Sequence, residues 1–368
     1  MSDNRQPDRY QHIMRAFSRE LWAIDESKYC AIRAFLTLRA AGVHVAEEEI
    51  KAIVADARPN VTRNAGAVAV LPLFGTISQR ASLLTMGSGG TSTMAFGKAF
   101  AQVIADPNVS AVVIEADTPG GGVAGLPELA QQIFDARGTK PIIGVAASRA
   151  LSAGYWILSQ ADELVVQPSA EVGSIGVFMW YENAAEAYKM DGIQPEIIRY
   201  GDNKAEVNDW EPLSDDTRAY LKSQANQVGE NFVKDVARGR GVSAQTVRSD
   251  FGKGRSVLAK DAVRLGMADR IGTVDDAIAR VASGRWKAPN RVAAESIDVR
   301  MVAVAETEDV KAESPVSQEP PVELPTPEPE PASPLPAASE ADDDELAYQI
   351  VSEWEQSDHE ARTEAEVR

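Results

Sequence analysis

Between residues 66 and 200 short apolar runs alternate with helical patterns, and that alternation limits the fold more than any other feature. The runs are "GAVAVLPLFG" (66–75), "SAVVIEAD" (110–117), "PIIGVAA" (141–147), "ELVVQP" (163–168), "GSIGVF" (173–178) and "PEIIRY" (195–200). Apolar residues at helical spacing fill 94–105, 124–137, 153–161 and 180–190 between them. Runs that are apolar almost without interruption read as strands buried on both faces. Strands so spaced by helices predict βαβ units, a largely parallel sheet and an α/β fold. After 213 the pattern is mainly helical: one long helix over 214–238, then shorter ones near 243–250, 258–265 and 274–283.

The flanks differ from this body. Residues 1–60 form a helical preface, with 8–57 reading as helix. "AIRAFLTLRAAG" places Ile32, Phe35, Leu36 and Leu38 at helical spacing, and "VAEEEIKAIVADA" is a second amphipathic stretch. The body runs over 61–290. Residues 291–341 form a Pro/Glu-rich linker; nine of the chain's 20 prolines fall between Pro315 and Pro336, so this segment is expected to be extended and disordered. Residues 342–368 form an acidic tail in which Leu346, Ile350 and Trp354 stand four apart. Two readings of that tail stay open: a largely unfolded end, or a partner-binding helix on a tether.

Charge follows the same division. The formal charge is −18, but residues 301–368 hold 19 acidic and 3 basic residues, leaving 36 and 34 in the first 300. A nearly neutral body gives no electrostatic case for nucleic-acid binding. The single cysteine, Cys30, rules out an intramolecular disulfide, and its apolar helical surroundings predict a packed thiol. No apolar run reaches the roughly 18–20 residues of a membrane span, and the first residues lack a secretory apolar core. No membrane, cofactor or metal is expected.

The chemistry centres on "RALSAGYWIL" (149–158). A strand ends near Ala147 and a helix begins at Ser152 or Ala153, so Ser152 is either an N-cap or a nucleophile at a helix start. Ala153 and Gly154 would let a substrate backbone come close. The three histidines are His12, His44 and His359, none within 61–300, which excludes a Ser-His-Asp triad built inside the body. Lysine is the known substitute base when it is uncharged. "DTPGGGVAG" (117–125) follows a strand and opens a helix. Its N–H groups could face a carbonyl oxygen gaining charge, or the glycines could make a tight turn; no Gly-Lys-Ser/Thr follows, which excludes a phosphate loop.

Three segments in order, "DTPGGGV", "ASRALSAGYWILSQADELVVQPSAEVGSIGV" and "YGDNKAEVNDWEPLSDD", resemble the signal peptide peptidase A family of serine proteases. Within it the chain looks like the phage head maturation, or capsid assembly, branch. The resemblance covers roughly 65–285. It implies a Clp protease/crotonase-like α/β fold and a Ser-Lys dyad. By position Ser152 matches the nucleophile and Lys204 the general base. Ser174 matches the serine that orients the lysine amine, and Gly121 with Gly122 matches the oxyanion donors. "LSAGYW" departs from the usual pattern by placing Ala153 where a glycine is common. Taken alone, Lys204 also reads as a solvated loop lysine, and Ser174 as a buried hydroxyl bonded to backbone. The resemblance further implies a homo-oligomer acting on capsid, portal or scaffold proteins, inside an assembling procapsid in the host cytoplasm. A cellular signal-peptide-degrading protease and a non-catalytic assembly factor are the alternatives.

Overall fold

The computed structural model describes residues 17–18, 20–40, 63–65, 67–80 and 90–289. The second half of the preface, the Pro/Glu linker and the acidic tail with its apolar stripe lie outside the described residues. The chain divides into a unit of Met1–Val299 and a unit of Arg300–Arg368, and all described residues fall in the first.

In chain order the elements are β1 (Trp22–Ile24), α1 (Glu26–Ala40), β2 (Arg63–Ala65), β3 (Val68–Phe74), β4 (Ile77–Ser78), β5 (Thr91–Ser92) and α2 (Thr93–Ala105). There follow β6 (Ala111–Thr118), β7 (Gly120–Gly122), α3 (Leu126–Asp135), β8 (Ile142–Leu151), α4 (Ala153–Leu158), β9 (Glu163–Val166), β10 (Glu171–Gly173) and α5 (Ala185–Met190). The last are α6 (Asp215–Arg240), α7 (Ala244–Asp250), β11 (Ser256–Leu258), α8 (Ala259–Arg264), β12 (Arg270–Ile271) and α9 (Val274–Ala282).

The expected α/β fold with a parallel sheet is present. An eight-stranded sheet runs β11-β10-β8-β6-β3-β2, with β9 beside β8 and β12 beside β9. Its central pairs are parallel, and only β2 with β3 and β10 with β11 are antiparallel. β3 is buried along its whole length and β6 along most of it, which is why their sequences are apolar at nearly every position. One face carries Leu71, Leu73, Val112 and Ile114 into the main core against α2, α3 and α4. The other carries Val68, Val70, Val113 and Val145 against α9. β8 is long enough to pair twice along one edge, first with β9 through Ile143–Ala146 and then with β10 through Arg149–Leu151. That second pairing places the end of β10 beside the end of β8. A second, small sheet of order β1-β7-β4-β5 stands at this end of the molecule and holds the three glycines.

Several local expectations fail. "PEIIRY" forms no strand; Ile198 and Tyr200 are fully in solvent, because two isoleucines between a proline and an arginine have no neighbouring strand to bury them. The strand expected over 173–178 ends instead at Gly173, where Gly173 (φ 111°) and Ser174 (φ 52°) leave the extended region. Residues 22–24, read as helix, are the strand β1. The helix expected over 180–190 covers only Ala185–Met190. Cys30 is exposed, not packed: the buried stripe of α1 follows Tyr29, Ile32 and Leu36, and Cys30 lies one step off it.

Candidate active site

Ser152 is held by the walls around α4. Every residue of α4, from Ala153 to Leu158, is buried. The Tyr155 hydroxyl donates to the Met267 carbonyl at 2.9 Å, and the Trp156 indole donates to Asp235 Oδ2 at 2.8 Å. Trp156 stacks on Phe232 of α6, with ring centroids 4.4 Å apart. Both aromatic polar atoms are therefore satisfied while their rings fill the core. Beyond the helix's C-terminal end the Arg137 guanidinium donates to the carbonyls of Ser159, Gln160, Ala161 and Gly239. A cation among the carbonyls at a helix C-terminus stabilises that end. Six residues could not stay helical alone; these contacts fix them.

The serine itself is strained. It occupies the N-cap position of α4 with φ 50° and ψ −112°, and its side chain makes no capping bond. A non-glycine residue in that region costs on the order of 1–3 kcal/mol, stored only where the surroundings enforce it. The Ser152 N–H donates to the Gly173 carbonyl at 2.7 Å, and Trp156 N–H donates to the Ser152 carbonyl at 2.9 Å. The hydroxyl is left with one long contact, donating to the Gly176 carbonyl at 3.4 Å. It is 1% exposed. Side-chain capping, one of the two uses open for this serine, is not made here.

The parallel ladder ends with Leu151 opposite Gly173, so Ser152 and Ser174 are the residues that follow two adjacent strand ends. Ser174 is half-buried and its N–H donates to the Arg255 carbonyl at 3.0 Å.

The glycines Gly120–Gly122 form β7 rather than an open loop, and the Gly120 N–H donates to Thr118 Oγ1 at 3.1 Å. A Cβ on Gly120 would stand 3.0 Å from Ser152 Cβ, so this strand lies directly against the serine. Any side chain at Gly121 would run into the Ile77 carbonyl of β4. Gly154 also has a packing role: a Cβ there would run into Thr118 Cγ2. Gly154 is thus small because α4 presses on β6 there.

Lys204 is exposed, in a turn where its N–H donates to the Gly201 carbonyl at 3.0 Å. Among the described residues no hydrogen bond joins it to Ser152 or Ser174. A cleft of about 580 Å³ beside this turn is lined by Asn203, Glu206, Asp216, Ala219, Tyr220 and Ser223, and Ser152 is not part of it. Sequence reasoning missed β1, whose residues Trp22–Ile24 pair with the whole of β7.

Ser152 thus lies buried and strained where β8 gives way to α4, against the glycine strand. Residues 135–287 match the model of Peptidase family S49, a segment that takes in Ser152, Ser174 and Lys204. The chain is 32% identical over 211 residues to "Capsid assembly protease C" of Escherichia phage lambda, covering 57% of this chain and 48% of that one. It is 28% identical over 224 residues to "Head-tail preconnector protein GP5" of Enterobacteria phage P21, covering 61% and 44%. The chain spans about half the length of these curated relatives. A solved structure of a mutant of the "1510-N membrane-bound stomatin-specific protease" is similar over 64% of this chain and 97% of that one, at 17% identity and a TM-score of 0.37. Over that segment the chain is similar to the S49 peptidases, and the resemblance to the signal peptide peptidase A family and its phage capsid-assembly branch holds. Among the described residues no helix is long and apolar enough to cross a membrane.

Proposed function

We propose that the protein is a serine endopeptidase that uses Ser152 and Lys204 to process structural proteins of an assembling phage head. One observation carries this reading: an uncapped, buried serine hydroxyl held in a strained conformation between Ser174 and the glycine strand. The names of the two phage relatives support the choice of capsid, portal or scaffold proteins as substrates.

In this mechanism uncharged Lys204, oriented by Ser174, takes the Ser152 proton as the oxygen attacks a peptide carbonyl. The N–H groups of the glycine strand, at Gly121 and Gly122, hold the oxyanion. The resulting ammonium protonates the leaving amine, and water then releases the acyl group from Ser152. No metal or cofactor takes part.

In this reading the working form is a homo-oligomer, which supplies the cover that exposed Lys204 lacks in one chain. The segment carrying it shows Trp180, Met190, Ile193, Ile198 and Tyr200 to solvent. Five large apolar side chains exposed within about 20 residues of sequence support an interaction face in this segment. A second copy covering it would bury the amine.

The test is processing. The parent chain incubated with the capsid-assembly proteins of its phage is expected to shorten at least one of them, and Ser152→Ala to leave all at full length on gels and by intact mass. Processing by Ser152→Ala at the parental rate would remove the peptidase reading and leave the assembly-factor one.

A further inference from the structure

We propose that strand β1 is a built-in occupant of the substrate groove: Trp22–Ile24 holds the place of an extended peptide and must leave before a protein substrate can lie across Ser152. The inference rests on the reading of Ser152 as the reacting group.

The strand is hydrogen-bonded along both edges. On one side it runs antiparallel to the glycine strand, with Trp22 opposite Gly122, Ala23 opposite Gly121 and Ile24 opposite Gly120. The flanking bonds are Asp25 N–H to the Pro119 carbonyl at 2.7 Å and Val123 N–H to the Leu21 carbonyl at 3.2 Å. Bonded pairs alternate in such a ladder, so Ala23 and Gly121 are the bonded pair between them. The Gly121 N–H, assigned above to the oxyanion, thus faces a carbonyl of the chain itself. On the other side Trp22 N–H donates to the Phe178 carbonyl at 2.9 Å, and Phe178 N–H donates to the Trp22 carbonyl at 3.0 Å. Phe178 follows closely on Gly176, whose carbonyl receives the Ser152 hydroxyl. A segment paired with β7 along its length and bridged to Phe178 at Trp22 has the geometry of β-strand addition, in which a peptide pairs with an open strand edge.

The slot is at the serine. A Cβ on Gly120 would lie 2.9 Å from Ile24 Cα and 3.0 Å from Ser152 Cβ, so these two atoms are at most about 6 Å apart. Past Ile24 the chain does not continue extended. Asp25 Oδ1 accepts the N–H groups of Ser27 and Lys28, and α1 starts at Glu26. The occupant therefore turns away as helix where a substrate would run on across the serine, which fits an inhibitor that is not itself cut.

The packing lets it lift as a unit. Trp22 and Ile24 belong to a small cluster with Phe17, Tyr29 and Leu36, separate from the main core, and Phe178 packs against it. The Trp22 indole bond, to the Phe17 carbonyl at 2.9 Å, is internal to this unit. Only Ala23 points into the main core. Outside, Arg33 of α1 clasps Glu182 at 2.8 Å and lies over the Trp180 ring at 4.8 Å. Since neighbouring residues of a strand face opposite ways, the peptide that replaces β1 carries a small residue at the Ala23 position and bulky apolar ones on either side.

The test uses the full chain and a fluorescent peptide of residues 19–26. Trp22→Ser strips the anchor, and Arg33→Ala loosens the outer clasp while leaving the cluster intact. Both variants are expected to bind the peptide at least about 10-fold more tightly than the parent, with unchanged far-UV circular dichroism. The same shift is expected in a Ser152→Ala background, because binding needs no cleavage; loss of peptidase activity alone therefore leaves this inference standing. Equal affinity of parent and folded variants would overturn it. So would hydrogen exchange of the parent in which the 22–24 amides open only with those of β6 and β8, since a strand that leaves must open at lower free energy than the core.

Discussion

Lys204→Met is expected to lower kcat for peptide-bond cleavage by a factor of at least about 10³, and co-assembly with Ser152→Ala chains to restore activity that neither variant has alone. The reason lies in where the amine stands. A lysine in water keeps its proton at neutral pH and cannot accept another; burial among apolar groups removes that preference. In a single chain Lys204 is exposed and has no bond to Ser152. Its neighbours in the same segment include Ile198 and Tyr200, whose side chains are fully in water. In the proposed oligomer a partner copy covering those side chains would bury the amine in the same step, and the serine it then serves would belong to the partner. Chains lacking the lysine can therefore be complemented by chains lacking the serine. The measurement is turnover by each variant alone, by the two co-expressed, and by the two mixed after separate purification. A silent co-assembly beside an active parent would place base and nucleophile in one chain. A Lys204→Met protein with parental kcat would end the dyad assignment itself.

What could be read from residues alone follows from how local each signal is. β3, β6, β8 and β9 were legible because strands buried on both faces are apolar runs, and the run is itself the signal. The long helix α6 announces both ends, with Ser214 accepting the Thr217 N–H and Gly241 in the left-handed conformation. β7 could not be read as a strand: three glycines have no strand preference, and their pairing comes from β1, about 100 residues earlier. β1 was hidden for the same reason, since three residues hold strand geometry only through partners distant in sequence. Ser152 and Ser174 are legible as motif members, yet their placement after neighbouring strand ends depends on the Leu151–Gly173 register, which no spacing of 22 residues dictates. The positive φ of Ser152 is equally silent in sequence, because serine at that place reads as an ordinary N-cap. The position of Lys204 is the opposite case: one chain's sequence and fold both leave it in solvent.

Arg240→Met is expected to cost about 3–5 kcal/mol of stability, the value typical when one partner of a buried ion pair is removed. The Arg240 side chain is 2% exposed and that of Asp269 13%. Two parallel bonds of 2.8 Å join the guanidinium to the two carboxylate oxygens, and Nε donates to the Gly266 carbonyl at 3.1 Å. Asp269 Oδ2 also accepts the Leu164 N–H at 2.7 Å, so the pair locks the end of α6 to the turn before β12 and to β9. Methionine keeps much of the volume but removes the two bonds and the opposite charge that the guanidinium gives the carboxylate. The loss is about a third or more of what a domain of this size typically has to spare. In denaturant titration the midpoint should fall with the slope unchanged, as fits a loss confined to the native state. Adding Asp269→Asn should return at least half of the loss, because the amide oxygen still receives the Leu164 N–H while no charge remains to be compensated. A double variant as unstable as Arg240→Met alone would mean that the arginine contributes through packing and the Gly266 bond, and that its pairing with Asp269 adds nothing.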